Sequence, residues 1–154
     1  MAVSPIPENY PRLMAYLSVD GASDAIDFYT KVFGLTERGR MPGPDGVIGH
    51  AELELAGSVL MLADTAAAED FPSPKKLGNT PVNLTLYVED CDAVHKAALA
   101  AGAKELRAPQ DQFYGDRSAT VEDPWGHRWS IMTHIEDVSM EEMQKRMEAM
   151  GSQG

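Results

Sequence analysis

The chain reads as an α+β protein built from two tandem βαβββ units, followed by a C-terminal helix. The stretch Leu17-Ser18-Val19-Asp20, which runs into a helix signal, returns 69 residues later as Leu86-Tyr87-Val88-Glu89, running into another. Gly34 after the first helix signal is answered by Gly102, and Gly57 in the first hairpin by Gly126, at offsets of 68 and 69 residues. Stretches of period two and period 3.6 follow one another in the same order in both halves, as expected of a duplicated unit whose copies bury their inner faces. At 154 residues the chain fits one domain, residues 1–154: unit one over about 12–64, a linker over 65–81, unit two over about 82–135 and a terminal helix over 139–150.

Pro5, Pro7 and Pro11 favour extended backbone, so residues 1–11 form an arm leading into the fold. Residues 12–19 alternate as a strand, with Leu13, Ala15, Leu17 and Val19 on one face and Met14, Tyr16 and Ser18 on the other. Ser23 is placed to cap the next helix, Asp24 sits in its first turn, and Ile26, Tyr29 and Phe33 make its apolar stripe before Gly34 ends it. Residues 35–41 give a strand, Pro42-Gly43-Pro44-Asp45-Gly46 a turn, and residues 50–55 and 58–63 a hairpin around Ala56-Gly57. Nothing periodic survives between residues 64 and 81, which reads as a surface connection.

The second half repeats the order. Residues 82–88 are a strand, and Asp90 or Cys91 opens a helix with Val94, Ala98 and Ala101 on one face. Residues 103–108 and 117–122 are strands around a polar loop that holds Phe113 and Tyr114. The type I turn Asp123-Pro124-Trp125-Gly126 leads to a last strand over 127–132. Ser139-Met140-Glu141-Glu142 is a capping box, and Met140, Met143, Met147 and Met150 form a helical stripe suited to core or dimer contact.

With Asp and Glu at 24 against Lys and Arg at 13, the formal charge of −11 repels phosphate backbones and anionic headgroups, so neither nucleic acid nor membrane is an expected partner. A cationic ligand is electrostatically welcome. No apolar run nears the roughly 20 residues of a membrane span. The single Cys91 forms no internal disulfide, and the start of the chain lacks a secretion signal, so a cytoplasmic setting is expected.

The ordered set of Ala25-Ile26-Asp27-Phe28-Tyr29, Phe33-Gly34-Leu35 and Asp123-Pro124-Trp125-Gly126-His127 in two βαβββ units resembles the vicinal oxygen chelate superfamily, which includes glyoxalase I, bleomycin-resistance proteins, fosfomycin-resistance enzymes and extradiol dioxygenases. The likeness spans residues 13–132, and the tail from Thr133 to Val138 with the Met-rich helix is similar to the PhnB-like subgroup. The resemblance implies a site in the concave sheet faces and a homodimer. Metal-binding members take one ligand from the first and one from the last strand of each unit, which here fall on Met14, Met61, Asn83 and Ser130. A thioether, an amide and a hydroxyl are poor donors for Zn, Ni, Mn or Fe, so no metal or other cofactor is expected.

If the aliphatic sets meet the helices, the opposite faces line the cleft. Candidate ligand contacts are then Met14, Tyr16, Met61, Asn83, Thr85, Tyr87, Tyr114, Trp125, Arg128 and Ser130, a mixed wall of rings, thioethers and hydrogen-bonding groups. His50 and Glu52, two apart on one strand face, are the candidate catalytic pair, an imidazole and a carboxylate positioned as a general base. His95 and His134 read as surface residues and His127 as a turn residue. Two functions follow: a metal-free protein that sequesters a small aromatic or cationic compound, or a lyase, isomerase or dioxygenase-type enzyme using a relocated metal or the His50/Glu52 pair.

Overall fold

The computed structural model describes residues 3–152, and the chain divides into two compact units at Thr80/Pro81. Unit one contains β1 (Ala15–Val19), α1 (Ala22–Phe33), β2 (Thr36–Pro42), β3 (Ile48–Leu55), β4 (Ser58–Asp64) and a short α2 (Pro74–Leu77). Its sheet runs β1-β4-β3-β2, with β1 parallel to β4 and the other pairs antiparallel. Unit two repeats the plan with β5 (Asn83–Tyr87), α3 (Cys91–Ala100), β6 (Lys104–Asp111), β7 (Asp116–Glu122), β8 (Arg128–His134) and the terminal α4 (Met140–Gly151), in sheet order β5-β8-β7-β6. The tandem βαβββ architecture is as the repeat predicts.

In unit one the aliphatic set packs under α1. Leu53 and Leu62 are fully buried, with Val19, Ile26 and Tyr29, each such side chain contributing about 1.5–3 kcal/mol of apolar transfer free energy. Phe28, Tyr29 and Phe33 interlock, with Phe28 edge-on to Phe33 at 5.4 Å. Leu13 departs from its expected place: it precedes β1 and is 90% exposed, because the strand begins only at Ala15. The cap of α1 is also different. The helix starts one residue after Gly21, which is left-handed at φ 105°, and Asp64 from the end of β4 accepts from the Gly21 and Ala22 N–H groups at 2.9 and 2.8 Å. The other Asp64 oxygen accepts from Ile48 N at 2.7 Å, so one carboxylate joins helix, β3 and β4. Ser23 instead accepts from Arg40 Nη1 at 3.2 Å.

The connection over 65–81 is not a bare loop. Ser73 caps α2 by accepting from Lys76 N and donates to Asp20, while the Phe71 carbonyl accepts from Ser18 Oγ at 2.7 Å. The segment therefore belongs to unit one and lies against β1.

In unit two Asp90 caps α3 as expected, accepting from Ala93 N. The buried face is Cys91, His95 and Ala98; Ala101 is exposed, and His95, expected at the surface, is buried with its Nε2 2.9 Å from Glu105. Asp123 organises the last turn, accepting from the Trp125 and His127 N–H groups and from Trp129 Nε1. Gly115, at φ 99°, lies so close to Glu136 that a Cβ there would stand 2.1 Å from its carbonyl oxygen, and the Gly115 carbonyl accepts from Ile135 N and Glu136 N. Ser139 caps α4 through Glu142 N, but the Glu142 carboxylate holds Arg146 rather than closing the box. Met140, Met147 and Met150 are exposed and α4 buries none of its residues within the chain.

Candidate ligand site

The open face of unit one carries a connected set of polar side chains. Period-two alternation on β3 turns Ala51 and Leu53 into the core and leaves His50 and Glu52 on the other face, beside Tyr16 of β1 and Met61 of β4. Tyr16 stands opposite Met61, and Met61 opposite Glu52, so three neighbouring strands bring these residues together. The distances make a chain: Tyr16 Oη to His50 Nδ1 is 2.7 Å, His50 Nε2 to Glu52 Oε1 is 3.0 Å, and Tyr10 Oη donates to both Glu52 oxygens at 3.0 Å. Glu52 is ionised and can only accept, so His50 Nε2 carries the hydrogen and Nδ1 is left to accept from Tyr16.

Arg38 completes the set. Its Nε lies 3.8 Å from Glu52 and 3.6 Å from Glu54, and its guanidinium carbon sits 4.6 Å above the Tyr10 ring, a cation–π arrangement. Straight alternation would put Arg38 opposite in face to Gly39, which pairs with Glu52; the register shift between Glu37 and Gly39 turns it to the open side. The hydrogen bond from His50, then those from Tyr10 and the charge of Arg38, hold the Glu52 carboxyl below the usual carboxylate range. The same contact raises the Tyr10 phenol, and burial raises that of Tyr16, with the Glu52 charge adding to it.

Beside this cluster lies a cavity of about 450 Å³ between the arm (Pro5, Ile6, Pro7, Tyr10, Pro11, Arg12), Met14 at the foot of β1 and the sheet residues Met61 and Glu52. A neighbouring hollow of about 330 Å³ is lined by Arg38, Arg40, Met41 and His50 and shares Tyr10 and Glu52 with the first. Phe71 packs edge-on to Tyr16 at 5.3 Å. Both thioethers carried over from the metal-ligand positions of unit one thus wall an apolar cavity.

The open face of unit two carries a different set of side chains. Thr120 stands opposite Ser130 where unit one has Glu52 opposite Met61. Asn83 Nδ2 donates to Ser130 Oγ at 2.7 Å, and Thr85 pairs in register with Ser130. Tyr87 is 59% exposed, yet its hydroxyl is anchored at 2.6 Å on the buried Asp116 and its phenol is raised by that bond. Asp116 also holds His134 Nδ1 at 2.8 Å, and Asp137 holds Nε2 at 2.9 Å, a network that raises the imidazole above its ordinary value through Asp137 first and Asp116 second. Trp125 is buried in its turn, Tyr114 packs edge-on to Phe113 at 5.3 Å, and Arg128 stands beside Asn83 in register. Burial raises the Cys91 thiol, so its position at a helix start does not activate it.

Sequence reasoning missed Tyr10, Arg38, Asp116 and the pairing of His134. The arm has no periodicity to place Tyr10, and Arg38 is re-aimed by a bulge. Among the described residues no three or more His, Cys, Asp or Glu side chains form a group able to hold a metal ion, and no helix is long and apolar enough to cross a membrane.

Comparison with known proteins agrees with this geometry. The chain is 44% identical over 144 residues to the uncharacterized protein Mb0911c of Mycobacterium bovis, covering 92% of this chain and 95% of that one. The crystal structure of TioX from Micromonospora sp. ML1 superposes with a TM-score of 0.62 at 28% identity, over 81% of this chain and 99% of that one. A PhnB protein from Bacillus cereus shares the fold, with a TM-score of 0.64 at 18% identity, over 80% and 99% of the two chains. The family model of the glyoxalase/bleomycin resistance protein/dioxygenase superfamily matches residues 12–131, and the chain belongs to that superfamily.

Proposed function

We propose that unit one binds a small, mainly apolar aromatic molecule in the cavity between the arm and Met14 and Met61, without the metal ion used by catalytic members of the superfamily. The observation that carries this reading is the cavity itself. Its walls are proline rings, Ile6 and two thioethers, with Glu52, Tyr10 and Arg12 as its polar members, the mix that holds a ring by dispersion and orients it by a few polar groups. The donor set does not fit an ion of the family's kind: Met14 and Met61 offer only thioethers, and the Asn83 amide and Ser130 hydroxyl bond to each other. Cation attraction comes from the overall charge of −11 rather than from an open carboxylate, since Tyr10 and His50 occupy Glu52. The same reading sets the protein in the cytoplasm as a homodimer that sequesters its ligand.

The test is NMR of methyl-labelled methionine during titration with 2-methoxynaphthalene. The Met14 and Met61 methyl resonances shift together by ring current while Met140, Met147 and Met150 stay in place. Unchanged Met14 and Met61 signals at saturating probe refute the reading. A second reading, proton transfer, is favoured by one observation: Glu52 orients His50 through Nε2, leaving Nδ1 as the basic nitrogen. It predicts deuterium exchange at the α-carbon of a ketone such as 2-indanone, lost in Glu52→Gln with the fold retained; no exchange by the native protein removes it.

A further inference from the structure

The arm presents to the sheet a side chain that behaves as a ligand. Tyr10 reaches Glu52 across 42 residues of sequence and donates its phenolic hydrogen to both carboxylate oxygens. Its ring lies under the Arg38 guanidinium at 4.6 Å. Two groups hold Tyr10, the cation at its face and the carboxylate at its hydroxyl, and His50 behind the carboxylate fixes the latter in place. Such a set is complementary to a hydroxyl on an aromatic ring.

The residue that fills it sits on a segment of unit one without regular secondary structure. Residues 3–14 form no helix or strand, and Pro5, Pro7 and Pro11 cannot donate to a ladder. The arm's other side-chain hydrogen bonds are local, between Ser4 and Ile6. Arg38 supports the same view: its Nη1 is buried without a hydrogen-bond partner while Nε stands 3.6 Å or more from either carboxylate, so the guanidinium is held by the ring more than by ion pairs. Tyr10 and Glu52 form part of the wall of both hollows.

We infer that Arg38, Glu52 and His50 form a recognition site for a phenolic ring, and that Tyr10 is its resident occupant, displaced when a hydroxyaromatic ligand enters. This rests on the proposed binding in unit one and adds the class of ligand. The incoming ring stacks on Arg38, its hydroxyl donates to Glu52, and the rest of the molecule lies along Met14 and Met61. With the Tyr10 side chain swung aside, the two hollows become one cleft. No bond is made or broken, and the phenol keeps its proton because Glu52 is the far weaker base.

The test compares 2-naphthol with 2-methoxynaphthalene, which has the same ring and no donor, by calorimetry on the full chain and on Tyr10→Ala. Tyr10→Ala binds 2-naphthol about tenfold more tightly than the native protein, since the internal competitor is gone, and the preference for naphthol over the methoxy compound reaches about tenfold, one charge-assisted hydrogen bond. Adding Glu52→Gln to Tyr10→Ala collapses that preference to near unity. Tyr10→Phe, which keeps the ring and frees Glu52, gives an intermediate gain and serves if the alanine variant folds poorly. An equal affinity for both probes in Tyr10→Ala, with Met14 and Met61 still shifting, overturns the phenol site and leaves cavity binding standing. Weaker naphthol binding in Tyr10→Ala makes Tyr10 a wall rather than an occupant and overturns it as well. No binding of either probe, with no methionine shift, overturns both readings.

Discussion

Replacing Glu52 by Gln keeps the size of the side chain and removes its charge, and the structure sets the consequence. The carboxylate accepts from Tyr10 on both oxygens and from His50 Nε2, and it faces Arg38. Glutamine retains one carbonyl acceptor and puts an amide donor where the second carboxylate oxygen accepted, so the charge-assisted hydrogen bonds from Tyr10 and His50 cannot all be kept. The side chain is only 15% exposed, so solvent compensates little. A hydrogen bond to a charged group is worth roughly 1.5–3 kcal/mol, so the variant is destabilised by about 2 kcal/mol. For a chain of this size that is a fall in Tm of about 4–8 °C. The pH dependence has a definite sign. The folded pKa of Glu52 lies below its unfolded value, so its contribution is complete above the unfolded carboxylate range and disappears as pH falls through the folded value. Scanning calorimetry of native protein and variant checks this: the gap in Tm is full at pH 7 and closes toward pH 3. Equal Tm values at pH 7, or a gap that persists undiminished at pH 3, refute the reasoning.

Three further outcomes follow from the same contacts. Asp64→Asn leaves one of three backbone donors unmet and weakens the N-terminus of α1, a loss of about 1–2 kcal/mol that hydrogen exchange reads as faster exchange at Gly21, Ala22 or Ile48. Gly115→Ala drives a Cβ against the Glu136 carbonyl at positive φ and destabilises unit two by about 3 kcal/mol or more, seen as a lower denaturant midpoint. His134 has a folded pKa raised by Asp137 and Asp116, so the stability it lends is complete below its unfolded pKa and fades as pH rises through the folded value. The Tm difference between native protein and His134→Asn is therefore larger at pH 6 than at pH 9, and NMR titration of the imidazole shows the raised midpoint.

The repeat made the fold legible. Among the described residues, alternation, caps and glycine stops placed the eight strands and three of the four α-helices, because these are local properties of φ, ψ and side-chain period. Errors of one to three residues at the ends came from contacts between distant segments, as at Leu13, where no partner strand lies opposite to extend β1. The open-face placement of His50, Glu52, Tyr16 and Met61 was readable because each needs only its own strand's alternation, whereas Met14 precedes β1. Tyr10 and Arg38 were not, since one sits on an aperiodic arm and the other beyond a bulge that inverts its face.

The amino-acid order by itself determined the duplicated βαβββ plan and the acid excess, both of which follow from composition and short-range periodicity. Tertiary structure alone decided that Asp64 rather than Ser23 caps α1, that residues 65–80 lie against β1, and that Tyr10 closes over Glu52 and Arg38. Each of these joins groups separated by tens of residues, and the free energy of such a contact depends on where the folded backbone brings the partners, which no local pattern encodes.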